Sequence, residues 1–233
     1  MNIQMQVLRL KFILITSVFR RFPSIRWKLS KHFPSLFFYP HMKSQEYLLF
    51  KSIPYKGAVI LEFGSGGSTV HFLKQAKKTY SVESNFTFYK YMKSIFLIKK
   101  ACKKSLFLKF VSIGDTDTWG RPVSGEKKAN WRSYYSDIWK EIILKESKVD
   151  IIFIDGRFRV SCCLYAVLQV LELNWEQPVF VVHDFIDRKE YYVLLEFLDE
   201  VECKHRLSVF TMKKDIEICD VKAALDTHAH MTD

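Results

Sequence analysis

Five acids, one histidine and three glycines in this chain stand where their types and spacing fit chemistry. Gly64-Ser65-Gly66-Gly67 follows the apolar run Val59–Phe63 and leads into Ser68-Thr69 and a helical pattern. A glycine-rich turn at a strand end lets backbone approach a ligand closely, and the helix behind it offers unpaired N–H groups. Glu83 lies 19 residues after Gly64, at the end of TYSVES. At that spacing a carboxylate accepts both hydroxyls of a ribose. Asp155 closes DIIFID, and His183-Asp184 closes PVFVVHD. A histidine whose ordinary pKa is about 6.5 suits proton transfer. Two converging carboxylates suit Mg²⁺, or the orientation of that histidine.

Such residues need a scaffold that brings strand ends together. Short β-rich runs at 58–63, 79–83, 106–113, 149–154, 178–183 and 206–211 alternate with helical patterns near 42–52, 68–77, 86–99, 132–146, 160–173 and 188–201. Several strands are apolar throughout up to a terminal acid, which suits a parallel sheet covered on both faces. The alternation predicts an α/β fold, a doubly wound, mostly parallel sheet flanked by helices. The one long irregular segment, Gly114–Trp131, is long enough to be functional or to be a surface insertion.

The turn departs from the dinucleotide fingerprint, because Thr69 stands at the sixth position in place of the last glycine. Glu62, two residues before Gly64, is also foreign to that pattern. EFGSGG resembles the first motif of the class I S-adenosylmethionine-dependent methyltransferases, and IDGRFR with a later HDF is similar to a branch of bacterial methyltransferase-like proteins. The resemblance covers roughly residues 56–212 and is strongest in 59–69, 149–160 and 178–192. It implies the Rossmann-like class I fold, with S-adenosylmethionine held by Glu62, Gly64, Ser65, Gly66, Gly67, Glu83 and Asp115. Within it, Glu62 fixes the loop and the cofactor's ammonium end, and Asp115 of VSIGDT meets the adenine amino group. Asp155, His183 and Asp184 then face the acceptor, with His183 as base and Asp155 and Asp184 as the only metal candidates. Metal-dependent small-molecule O-methyltransferases carry a further acid or amide after the second acid, where this chain has Phe185. Arg157 and Arg159 are candidates to hold an anionic acceptor, a solvated helix start being the alternative for Arg159.

Composition narrows the acceptor. Of the formal charge of +11, eight positive charges and no acid fall in residues 1–43, which leaves 28 basic and 25 acidic side chains, or +3, for the rest. The body therefore has no broad phosphate-binding face. IDGRF lacks the prolines of enzymes that methylate base amines, and Cys162-Cys163 lacks the Pro-Cys of base C5-methylation. A hydroxyl of a small molecule or saccharide is the expected acceptor, and nucleic acid is not an expected partner. Two rivals stay open. Asp115-Thr116-Asp117 is a D-x-D of the kind glycosyltransferases use for a metal and a nucleotide sugar, and a methyltransferase-like domain can serve as a non-catalytic scaffold at a membrane.

Three regions are expected: a basic, helical extension over 1–43, the main domain over 44–215, and a strand or tail over 216–233. The longest uncharged run of the extension, Phe12–Phe19, is 8 residues, far short of the ~20 that span a bilayer. The arm either packs on the domain or lies, through residues 7–31, on an anionic membrane surface. Five cysteines form no C-x-x-C pair, which fits a reducing cytoplasm, or the inner membrane surface facing it, over a disulfide framework. The closing THAHMTD, with His228 and His230, reads as a disordered end.

Overall fold

The computed structural model describes residues 23–34, 38–117 and 120–232. Its strands are β1 (Val59–Phe63), β2 (Lys78–Glu83), β3 (Leu106–Phe110), β4 (Ile151–Ile154), β5 (Val179–His183), β6 (Leu198–Lys204) and β7 (Leu207–Met212). They form one sheet in the order β3-β2-β1-β4-β5-β7-β6. Among the described strands β7 alone runs against the other six, pairing antiparallel with β5 and β6, so the doubly wound, mostly parallel expectation holds. The helices are α1 (Pro23–His32), α2 (Ser44–Ser52), α3 (Gly67–Phe72), α4 (Phe86–Ser94), α5 (Phe96–Ala101), α6 (Trp131–Ile143), α7 (Arg159–Glu172) and α8 (Ile218–His228).

The continuous apolar runs are explained by burial on both faces. Val59, Leu61 and Phe63 of β1 join Ile152, Ile154, Phe180 and Val182 in a cluster beneath α6, α7 and α8. Ile60, Ile151, Phe153 and Val181 point the other way, onto Leu49 and Phe50 of α2 and Phe72 of α3. The strand's period of two thus divides one apolar string between two cores. The strand order reverses direction between β1 and β4, and ligands of open α/β sheets bind in the crevice at such a point.

Three stretches differ from the sequence-based reading. The helix expected over 86–99 is two helices, because Ile95 is extended (φ −71°, ψ 124°). Met92, Ile95 and Ile98 all insert into a cluster with Phe38, Val70 and Leu106. The helix expected over 188–201 is a 3₁₀ segment, Lys189–Glu196, followed by β6. LDEVECK lies at the sheet edge, where one buried leucine suffices and exposed acids guard the open side; those same acids read as helix formers in the sequence.

The stretch expected as a strand or tail over 216–233 holds α8, which buries Val221 and Leu225 in the main core. Its end is tied down too: Ser161 Oγ donates to the His228 carbonyl at 2.8 Å, and His230 lies edge-on to Trp131. Most of the expected amphipathic arm, residues 7–22, lies outside the described residues, as do Thr118 and Trp119 of the long loop. What is described of the arm packs on the domain, with Ser30 hydrogen-bonded to Tyr91 and Lys31 over the same ring.

Candidate active site

The glycine turn is held from beneath. Gly64 takes φ +92°, and a side chain there would meet the Gly156 backbone at 2.6 Å. The ends of β1 and β4 therefore touch through two glycines. Glu62 is fully buried, and its carboxylate accepts from Ser68 Oγ at 2.5 Å, Thr69 Oγ1 at 2.6 Å and Ser81 Oγ at 2.6 Å. Thr69 Oγ1 in turn accepts from the Gly66 N–H at 2.9 Å. Burial raises the Glu62 pKa to about 7 against the pull of the three hydroxyls, with Asp155 adding to the rise. Glu62 thus ties Ser68 and Thr69 behind the glycine turn to Ser81 of β2 from a fully buried position. Gly66 is the open member of the turn, with nothing but Ser68 Oγ near an added side chain, at 3.9 Å. Gly67 is covered: a side chain there would fall 2.1 Å from Tyr39.

Glu83 stands at the end of β2, beside the turn. Its Oε2 accepts from Ser65 Oγ at 2.9 Å, and its Oε1 from the N–H groups of Ser84 and Asn85, each at 2.8 Å. Burial raises its pKa, opposed by these donors and by the Arg157 guanidinium. Each carboxylate oxygen carries two lone pairs, so acceptor capacity remains. A cleft of about 530 Å³ opens outside the ends of β2 and β3, lined by Ser84, Asn85, Phe86, Asp115 and Lys127 among others. Asp115 is exposed at its rim. Asp117, the second acid of D-x-D, accepts the Arg121 N–H at 2.9 Å within its own turn.

Asp155, His183 and Asp184 converge, with ligand-type atoms within 4.8 Å of one another. His183 Nδ1 donates to Asp155 Oδ1 at 2.9 Å and lies 3.8 Å from Asp184 Oδ1. Burial alone would lower the histidine's pKa; Asp155, Glu46 and Asp184 outweigh it and push the value up to about 10. Asp155 is held at about 2, its own burial being outweighed by the His183 and Arg159 cations.

Arg159 is not solvated at the helix start. Its side chain is 4% exposed, and its guanidinium meets Asp155 Oδ1 at 3.3 Å and Asp184 Oδ2 at 3.0 Å.

The fold has a counterpart among solved structures. A methyltransferase-like protein from Silicibacter pomeroyi DSS-3 is similar over 82% of this chain and 97% of its own, at 28% identity and a TM-score of 0.67. The fold is that of the class I methyltransferases. An O-methyltransferase from Bacillus cereus in complex with SAH is similar over 75% of this chain and 83% of its own, at 14% identity and a TM-score of 0.44. No protein-family model and no curated protein matches the chain.

On this methyltransferase fold one site residue escaped the sequence reading. Glu46 of α2 is 2% exposed and reaches the cluster from outside the sheet. Its Oε2 accepts the Lys43 N–H at 2.6 Å and lies 3.5 Å from His183 Nε2; its Oε1 lies 3.0 Å from His205 Nδ1 and accepts the Arg206 N–H at 3.2 Å. Burial works to raise its pKa, and the His183 contact and backbone donors overcome this to hold it at about 2. SQEYLLF offers one signal, a lone acid in the first turn of an otherwise apolar and amide-bearing helix. That pattern also fits an ordinary capping box, and Glu46 does cap Lys43.

Proposed function

We propose that this chain is an S-adenosylmethionine-dependent methyltransferase acting on a hydroxyl of a small molecule or saccharide. The observation that carries the reading is Glu83, a buried carboxylate bonded to Ser65 of the glycine turn and standing beside a cleft at the ends of β2 and β3. The residues fit an adenosyl group: a carboxylate with one lone pair left for a ribose hydroxyl, the unfilled backbone at Gly66, and Asp115 with Phe86 along a cleft. They fit Mg²⁺ poorly, since Arg159 already bridges Asp155 and Asp184.

When bound, the cofactor supplies a methyl carbon activated by its sulfonium for in-line displacement. The chain's own work is orientation and proton handling. Asp155, ionised and a quarter exposed, accepts the acceptor hydroxyl's hydrogen bond. His183, its ring turned by Asp155 and Glu46, takes the proton by way of the Asp155 carboxylate once Nδ1 has lost its own. The D-x-D reading is weaker here because Asp117 serves its own turn. The near-neutral charge of the body favours an uncharged or small acceptor over a polyanion.

The test is calorimetry on the purified full chain, with S-adenosylmethionine, NAD, and a nucleotide sugar plus Mn²⁺. Saturable binding of S-adenosylmethionine alone is expected, followed by transfer of labelled methyl to members of a sugar and phenol panel. A folded protein that binds none of the three would end the enzymatic reading and leave the scaffold.

A further inference from the structure

We infer that the Arg159 guanidinium is the resident cation of this site, standing between Asp155 and Asp184 where a divalent metal would otherwise be held. The set Asp155, His183 and Asp184 has the residue types and the spacing of a metal centre, its ligand-type atoms lying within 4.8 Å of one another. The oxygens that would turn to an ion are already engaged. Arg159 Nη2 lies 3.3 Å from Asp155 Oδ1, and Nη1 donates to Asp184 Oδ2 at 3.0 Å.

The guanidinium is also pinned by backbone. Its Nε donates to the Gly156 carbonyl at 3.0 Å and its Nη1 to the His183 carbonyl at 2.5 Å. Those two carbonyls belong to the ends of β4 and β5, so the planar fork ties the strand ends that carry the acids. Swinging it out would take the cation from both carboxylates, leaving Asp155 with His183 and Asp184 with Arg206, and would strip two carbonyls of this donor in a buried place, which is costly. The anchor is local: Arg159 opens α7 directly after Phe158, whose left-handed φ of 53° turns the chain back over the sheet. Mg²⁺ needs near-octahedral oxygens at about 2.0–2.1 Å and keeps several waters. Beside a fixed guanidinium that already takes one oxygen of each carboxylate, with Arg206 on the other oxygen of Asp184, the charge balance for it is lost. His183 offers no alternative, since one ring nitrogen faces Asp155 and the other Glu46.

One consequence rests on the methyltransferase reading above: cofactor binding and methyl transfer should proceed equally in EDTA and in Mg²⁺. The assignment itself is tested by Mn²⁺ titration followed by electron paramagnetic resonance. The wild-type full chain is expected to leave the free Mn²⁺ signal unchanged. Arg159→Met, which removes the fork and keeps most of the stem, is expected to take up one Mn²⁺ and to lose it again on adding Asp184→Asn. Wild-type uptake of Mn²⁺ that Asp184→Asn abolishes would overturn the inference, and so would a folded Arg159→Met that gains no metal. If Arg159→Met does not fold, the wild-type titration decides. Calorimetry with S-adenosylmethionine in EDTA separates the two ideas: absent binding removes the methyltransferase reading and leaves the cation assignment standing, whereas wild-type Mn²⁺ uptake does the reverse.

Discussion

Glu83 holds Ser65 and the start of the next loop, and in the proposed function its one remaining lone pair goes to a ribose hydroxyl. Hydrogen bonds to a charged group contribute about 1.5–3 kcal/mol. Glu83→Ala should therefore weaken S-adenosylmethionine binding by at least about tenfold. Calorimetry of the folded variant measures it, and unchanged affinity removes the ribose role. His183 governs the alkaline side. Its folded pKa of about 10 exceeds the ordinary 6.5, so the stability it contributes is complete below pH 6.5 and is lost as pH rises through about 10. Glu46 and Asp155, held at about 2, act oppositely: their contribution is complete above the ordinary carboxylate range and is lost as pH falls toward 2. Urea titrations from pH 6 to 10 should show stability falling in the wild type and a flatter profile in His183→Asn. If His183 is the base, turnover with an identified hydroxyl acceptor should rise with pH across the same interval. A rate independent of pH there would leave His183 a positioning imidazolium.

At the scale of elements, the segment before β1 does more than lead into the domain. Tyr39 and Pro40 lie directly on Gly67 at the start of α3, and α2 then delivers Glu46 to His183. Gly67 admits no side chain, because Cβ would fall 2.1 Å from the Tyr39 carbonyl carbon and 2.4 Å from Pro40 N. Gly67→Ala is thus expected to lift the 38–43 segment and to destabilise by about 1–3 kcal/mol, the usual cost of overpacking. Hydrogen exchange should quicken at residues 38–43 and stay slow in β1 and β4. Faster exchange spread evenly over the domain would show that the segment is not a separate layer. The same scale explains what the sequence concealed. The runs of β1, β4 and β5 announced themselves because both faces are buried, whereas β6 is an edge strand whose composition is set by solvent and not by a core.

At the scale of the molecule, charge and fold separate. Eight of the eleven net positive charges lie in residues 1–43, and no helix among the described residues is long and apolar enough to cross a membrane. The proposal that residues 7–31 touch a membrane surface predicts sedimentation with anionic vesicles that falls as salt rises and is absent with neutral ones. Equal behaviour toward both vesicle types would remove it. The sequence by itself determined the sheet class, the glycine turn, and the acids at successive strand ends, because strand periodicity and loop chemistry are local and repeat within a few residues. It also supplied Asp155 and the pair His183-Asp184, the polar ends of two apolar runs. Only the tertiary structure decided what those residues are to one another. Glu46 is 137 residues from His183 in the chain, Arg159 reads equally as an anion-binding candidate and as an exposed helix start until the ends of β4 and β5 close around it, and α8 becomes a helix worth having when Val221 and Leu225 find the core. Charge pairing and burial depend on distances in space, which spacing along a chain does not carry.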